Sequence, residues 1–215
     1  MKFRKEDVFC LLNIILMYLM VFFVYYPRHR GQLHMGLVYL YFAAATAALL
    51  SAWRLIRSWN VPLAALILVQ IGLILHDIGG LSLFGRRTYE LYALGIPYDK
   101  IVHFYNSLAG LLALRMFLCG MGVKLSKFEL PILVGTVMGA GALVEVIEYI
   151  GIRTLPSSSA WQFSIPLIDL YDNNLGDMVA NCVGSLAAAM LIAFEMRMPF
   201  LRRVPAENEI LRGNP

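Results

Sequence analysis

Apolar residues in this chain come in long unbroken runs, separated by short stretches that hold nearly all of the charge. The runs cover about residues 8–26, 35–53, 60–79, 100–118, 130–151 and 174–194. Each approaches the ~20 residues that carry an α-helix across a bilayer. The third reaches that length only if Trp59 and the segment His76-Asp77-Ile78-Gly79 belong to its ends. The pattern predicts an all-α polytopic membrane protein, one transmembrane domain with a bundle of about six transmembrane helices. Residues 152–173, with Pro156, Trp161 and Pro166, are expected to form an extramembrane loop.

Punctuation between the runs supports this division. Lys2, Arg4 and Lys5 precede the first run as in a secretory signal, but Tyr25-Tyr26-Pro27 follows where a small-residue cleavage site would stand, so a retained helix is expected. Pro97 and Asp99 suit the entry to the fourth helix. Ser126 and Glu129 have capping-box spacing before the fifth, and Gly135, Gly139 and Gly141 would admit a neighbouring backbone.

Composition removes the soluble alternatives. Of 215 residues, 60% are hydrophobic and 15% charged, against about 25% charged in an average soluble domain. The net charge of +4 is scattered between apolar runs and forms no basic patch, which excludes a nucleic-acid binder. Most lysines and arginines fall on the side shared by the two ends of the chain, so the positive-inside rule places both termini in the cytoplasm. Cys10, Cys119 and Cys182 lie in or beside apolar runs without metal-type spacing and read as small apolar residues.

Orientation gathers the scattered polar residues into one layer. The third helix ends at His76 and Asp77, the fourth begins with Asp99, Lys100 and His103, the fifth carries Glu145 and Glu148 in its last turns, and the sixth begins with Asp172, Asp177 and Asn181. Asp99 with His103, Glu145 with Glu148, and Asp177 with Asn181 stand three or four apart, so each pair can share a helix face. An ionisable residue at membrane depth costs roughly 2.5–3.5 kcal/mol, so these side chains should face a common cavity or one another. The candidate site is His76, Asp99, His103, Glu145, Glu148, Asp177 and Asn181, with Asp77, Lys100 and Asp172 as further members.

Three kinds of function fit such a set. Carboxylates with one or two imidazoles suit a divalent cation, Mg²⁺, Mn²⁺ or Zn²⁺, in an enzyme acting on a lipid-linked or envelope substrate. The same acids could bind or transport a cation or a cationic amphiphile without chemistry. They could also form a structural network fastening four helix ends. No serine or cysteine has a partner base beside it, so covalent catalysis is not indicated.

The segments Tyr98-Asp99-Lys100-Ile101-Val102-His103-Phe104, Glu145-Val146-Ile147-Glu148-Tyr149 and Asp172-Asn173-Asn174-Leu175-Gly176-Asp177-Met178-Val179-Ala180-Asn181, with Gly184, resemble the YjdF-type bacterial membrane family and, more distantly, VanZ-like proteins. Leu75-His76 followed by Gly79 adds to the likeness, which covers roughly Leu75 to Ala189. The resemblance implies a multi-pass protein of the bacterial plasma membrane. The VanZ-like side implies a link to glycopeptide resistance. One departure stands out: Tyr171-Asp172 replaces a Trp-Asp element and lies one residue further from the final aspartate, which weakens the case for Asp172.

Overall fold

The computed structural model describes residues 4–20, 53, 58–59, 61–79, 82–83, 86–88, 91–126, 128–154 and 167–197. They form helices α1 (Lys5–Met20), α2 (Leu63–Gly79), α3 (Tyr98–Gly120), α4 (Leu130–Thr154) and α5 (Leu167–Arg197). Between α2 and α3 lie four two-residue strands, β1 (Ser82–Leu83), β2 (Arg86–Arg87), β3 (Tyr92–Ala93) and β4 (Ile96–Pro97). The strands pair as two antiparallel ribbons, so the chain is mostly but not wholly helical.

The expectation of six spans is corrected. Among the described residues there are five helices, and two, Tyr98–Gly120 and Asp172–Arg197, are long and apolar enough to cross a membrane. Length gives the reason. At 1.5 Å per residue the 23 residues of α3 reach about 35 Å, beyond the ~30 Å hydrocarbon core. The apolar segments Leu63–Leu75 and Leu130–Val146 are shorter within the described residues. The run at 35–53 lies outside the described residues apart from Trp53. The side assigned to each terminus followed from six alternating spans and is withdrawn with them.

Local chemistry explains where the helices begin and end. Asp7 reaches back to accept the Arg4 amide at 2.9 Å and also accepts the Trp53 indole N–H at 3.1 Å, which ties the start of α1 to a distant part of the chain. The β3–β4 ribbon turns through Leu94 (φ 55°) and Gly95 (φ 78°), the paired left-handed residues of a tight hairpin, and runs directly into α3. At the far end of α3 the Val123 amide bonds the Leu118 carbonyl and the Gly122 amide bonds that of Cys119, with Gly122 at φ 82°. This is a Schellman closure, and its left-handed position favours glycine. Glu129 takes the Ser126 amide at 2.6 Å and the Ser126 hydroxyl, completing the reach-back half of a capping box before α4.

α3 is the helix against which the others register. Tyr98 and Tyr105 donate to the carbonyls of Leu75 and Leu68, seven residues apart in the opposite direction, so α2 runs antiparallel to α3. Ser107 bonds Asn181 and Arg115 bonds Glu195, so α5 runs parallel to it. The Gly110–Val137 and His103–Glu145 contacts set α4 antiparallel to α3. The N-terminal ends of α3 and α5 therefore share one end of the bundle with the C-terminal ends of α2 and α4. Below that end, Leu111, Leu133, Ala188 and Ile192 form the apolar core.

Polarity is inverted relative to a soluble protein. On α5, Asp177, Asn181 and Ser185 are buried while Val183, Leu186, Met190, Leu191 and Phe194 are exposed. A soluble helix would turn the other way, and an apolar exterior of this extent is what lipid stabilises. α3 and α5 approach closely at Gly184, where a side-chain carbon would strike the backbone carbonyl of Phe104. The glycines expected to serve this purpose on α4 do not: Gly135 and Gly139 face open space, and Gly141 meets the Asn181 side chain.

Two outcomes follow. Gly184→Ala must push α3 and α5 apart and is expected to cost about 1–3 kcal/mol of thermal stability in detergent, while Gly139→Ala should be neutral or slightly stabilising. Hydrogen bonds from Ser126 hold the Glu129 carboxyl below the usual carboxylate range. Because the folded-state value is the lower one, its contribution is present at neutral pH and lost as pH falls through that lowered value. Amide exchange in the first turn of α4 should accordingly be faster in Glu129→Gln than in the wild type at neutral pH, with the two converging in acid.

Candidate functional site

Two helices supply most of the site. On α3, Asp99, His103 and Ser107 follow at intervals of four, and on α5 Asn173, Asp177, Asn181 and Ser185 do the same, so each set forms a stripe and the two stripes face one another. Gly184 sets the helices close enough for short side chains to meet across the seam.

Lys100 stands at the middle of the upper part. Its Nζ donates to Asp177 Oδ1 at 2.6 Å, to Asn173 Oδ1 at 2.9 Å, to the Asn173 carbonyl at 3.0 Å and to Asp99 Oδ2 at 3.1 Å. Four oxygens thus surround one ammonium. The Asp177 side chain is 2% exposed, so its charge has lost nearly all water and depends on this partner. Asn173 Nδ2 donates to the other Asp177 oxygen at 3.0 Å.

His103 joins the acids from three helices. Its Nε2 lies 3.5 Å from Asp99 Oδ1 and 3.5 Å from Asp177 Oδ1, and its Nδ1 lies 3.4 Å from Glu145 Oε1 on α4. Each ring nitrogen thus faces a carboxylate. One turn deeper, Ser107 donates to Asn181 Oδ1 at 2.8 Å, while Asn181 Nδ2 and Ser185 Oγ find no hydrogen-bond partner among the described residues.

The donor set can accommodate a divalent cation. One ligand atom each from Asp99, His103 and Asp177 lie within 4.8 Å of one another. Ligands at ~2.1 Å from a tetrahedral ion stand about 3.4 Å apart. The two 3.5 Å separations from His103 Nε2 match that edge, so only the two carboxylates would need to draw together. The same Asp177 oxygen is the one nearest Lys100, so an ion and the ammonium would compete for it.

The structure brings together Asp99, Lys100, His103, Glu145, Asp177 and Asn181 of the expected residues. Asp172 is exposed. His76 and Asp77 lie at the end of α2 beside Leu75, whose carbonyl accepts from Tyr98, and Glu148 lies one turn beyond Glu145; the placement of these three side chains lies outside the described residues. Asn173, Asn174 and Ser107 were not among the expected site residues. The signal for Asn173 and Ser107 was the four-residue spacing, which extends both stripes by one member. Arg115 and Glu195 bond each other at 2.7 Å at the far end of the seam. A cavity of about 390 Å³ between α1, α2 and α3 lies away from all this chemistry, with Asn13 and Gln70 as the polar exceptions in an apolar wall.

An integral membrane protein with an acid, histidine and lysine cluster buried between its two longest apolar helices is the class that fold and site define. The chain belongs to the family described as predicted membrane protein (DUF2238), whose family model matches residues 8–197. No curated protein and no solved structure matches the chain.

The two ion pairs of the α3–α5 seam should differ sharply in weight. Lys100→Met leaves the Asp177 carboxylate, 2% exposed, without its ammonium and is expected to cost about 3 kcal/mol or more. Glu195→Ala removes a carboxylate that is 38% exposed and should cost no more than about 1 kcal/mol. Thermal unfolding of the two variants in one detergent compares them directly.

Proposed function

We propose that the Asp99–His103–Asp177 cluster is a divalent-cation site, and that the protein uses it on the polar head of a lipid-linked or other amphiphilic envelope substrate. The observation that carries this reading is the pair of 3.5 Å separations from His103 Nε2 to the two aspartates, set by two packed helices rather than by a loop. Mg²⁺, Mn²⁺ and Zn²⁺ all accept this donor set. A bound ion would polarise a phosphoryl or carbonyl oxygen or activate water. The protein's own part is to hold the two aspartates and His103 Nε2 around the ion, with Glu145 at the other ring nitrogen to take its N–H and fix the orientation of the imidazole. The likeness to YjdF-type proteins supports a bacterial plasma membrane as the setting.

A second reading, a non-enzymatic binder or transporter of a cation or cationic amphiphile, has one specific observation in its favour: an ammonium group already sits among these oxygens. Both readings require the cluster to take a positive charge from outside. Detergent-purified protein, titrated with Mn²⁺ and followed by electron paramagnetic resonance, should bind the ion stoichiometrically, and Asp177→Asn and His103→Ala should lose it. Mn²⁺, Zn²⁺ and Mg²⁺ all binding no better to the wild type than to Asp177→Asn would sink the proposal.

A further inference from the structure

We propose that Lys100 is the built-in occupant of this cation site, so that an external ion enters only by displacing its ammonium. The inference rests on the cation reading above and adds how the site is controlled. Its first ground is that the ammonium sits where an ion's charge would be needed. Nζ lies 2.6 Å from Asp177 Oδ1 and 3.1 Å from Asp99 Oδ2, the two carboxylates that would have to close on an ion. The oxygens around Nζ outnumber the three protons it can donate, so the arrangement resembles an ion's oxygen shell more than a simple pair.

A second ground is independent of these contacts. Gly176, on the turn of α5 just before Asp177, leaves room for the lysine stem: a side-chain carbon there would lie 2.9 Å from Lys100 Cε and 3.4 Å from Nζ. A helix interior without this need would favour alanine. The glycine therefore keeps a slot open for the stem, on a helix where a larger residue would close it.

The stem is also free to leave. Lys100 is in the first turn of α3, its side chain is 19% exposed, and a four-carbon chain with an ammonium can swing outward into the polar layer at that end of the bundle. With the lysine in place, one positive charge offsets the aspartates. With it swung out, Asp99 and Asp177 present two adjacent negative charges that a divalent ion neutralises. The lysine thus keeps the acids from repelling one another while the site is empty and sets a threshold that weakly held ions do not cross.

Gly176→Ala and Lys100→Met test this in different ways. The first crowds the stem out without altering any charge, and the second removes the ammonium. Mn²⁺ titrations in detergent should show both variants binding at least tenfold more tightly than the wild type. In Lys100→Met, ammonium should compete with Mn²⁺ for the position that Nζ vacates, and tetramethylammonium, which has no N–H to donate, should not. Mn²⁺ should also raise the melting temperature of Lys100→Met more than that of the wild type, a readout that survives if the variant is destabilised.

Wild-type affinity or weaker in both variants would overturn the displacement and leave the cation reading standing. Ammonium that leaves Mn²⁺ binding to Lys100→Met untouched would also overturn it, because ammonium and ion would then not share a position. No binding by any of the three proteins would remove both proposals together.

Discussion

Everything at the polar end of this bundle depends on how closely α3 and α5 approach at Gly184. The Phe104 carbonyl occupies the space a side chain would need. The short side chains of Asp177, Asn181 and Ser107 can therefore span the seam. With a larger residue at 184 the two stripes would stand apart, and Asp177 would sit buried in an apolar setting without a cation beside it, a state that desolvation makes costly. A single small residue thus decides whether the buried charges are tolerable. In lipid the constraint is sharper than in water, because separated helices would expose polar groups to hydrocarbon instead of to solvent.

The polar layer and the approach at Gly184 support one another. Packing brings the charges together, and the charges in turn hold the N-terminal ends of α3 and α5, where few large apolar side chains are buried and the core has thinned out. Asn174 extends this to α4 by donating to the Glu145 carbonyl at 3.3 Å. Helices that share an oily exterior gain little from hydrophobic contact with each other, so hydrogen bonds and shape fix their register.

Much of this was legible before any coordinates, and the reasons for the rest are particular. The apolar runs marked α3 and α4 closely, and the four-residue spacing of Asp99–His103 and Asp177–Asn181 marked the facing sides, because helical periodicity is a local property. The number of spans was not legible, since a run of apolar letters does not show how long a helix it forms. The start of α5 was misplaced for a related reason. Tyr171-Asp172-Asn173-Asn174 has the composition of a loop, yet it is helical from Leu167 because Lys100 and the Glu145 carbonyl bond Asn173 and Asn174. Pro166, immediately ahead, was the available sign of a helix start. The lysine's place was hidden altogether, because sequence offers a cation near acids without saying which acids it reaches.

The stripe on α5 has a geometric consequence of its own. Residues four apart on a helix of 3.6 residues per turn are offset by about 40°, so from Asn173 to Ser185 the stripe winds by roughly a third of a turn. It is a screw thread and not a straight rail. Its upper members engage Lys100 and His103 of α3, and by Asn181 it has also come against Gly141 of α4. A rotation of α5 about its own axis would therefore advance the polar contacts along the bundle instead of merely breaking them, trading partners on α3 for partners on α4. Sliding and turning are coupled in this helix, and the charged end is where that coupling would be felt first.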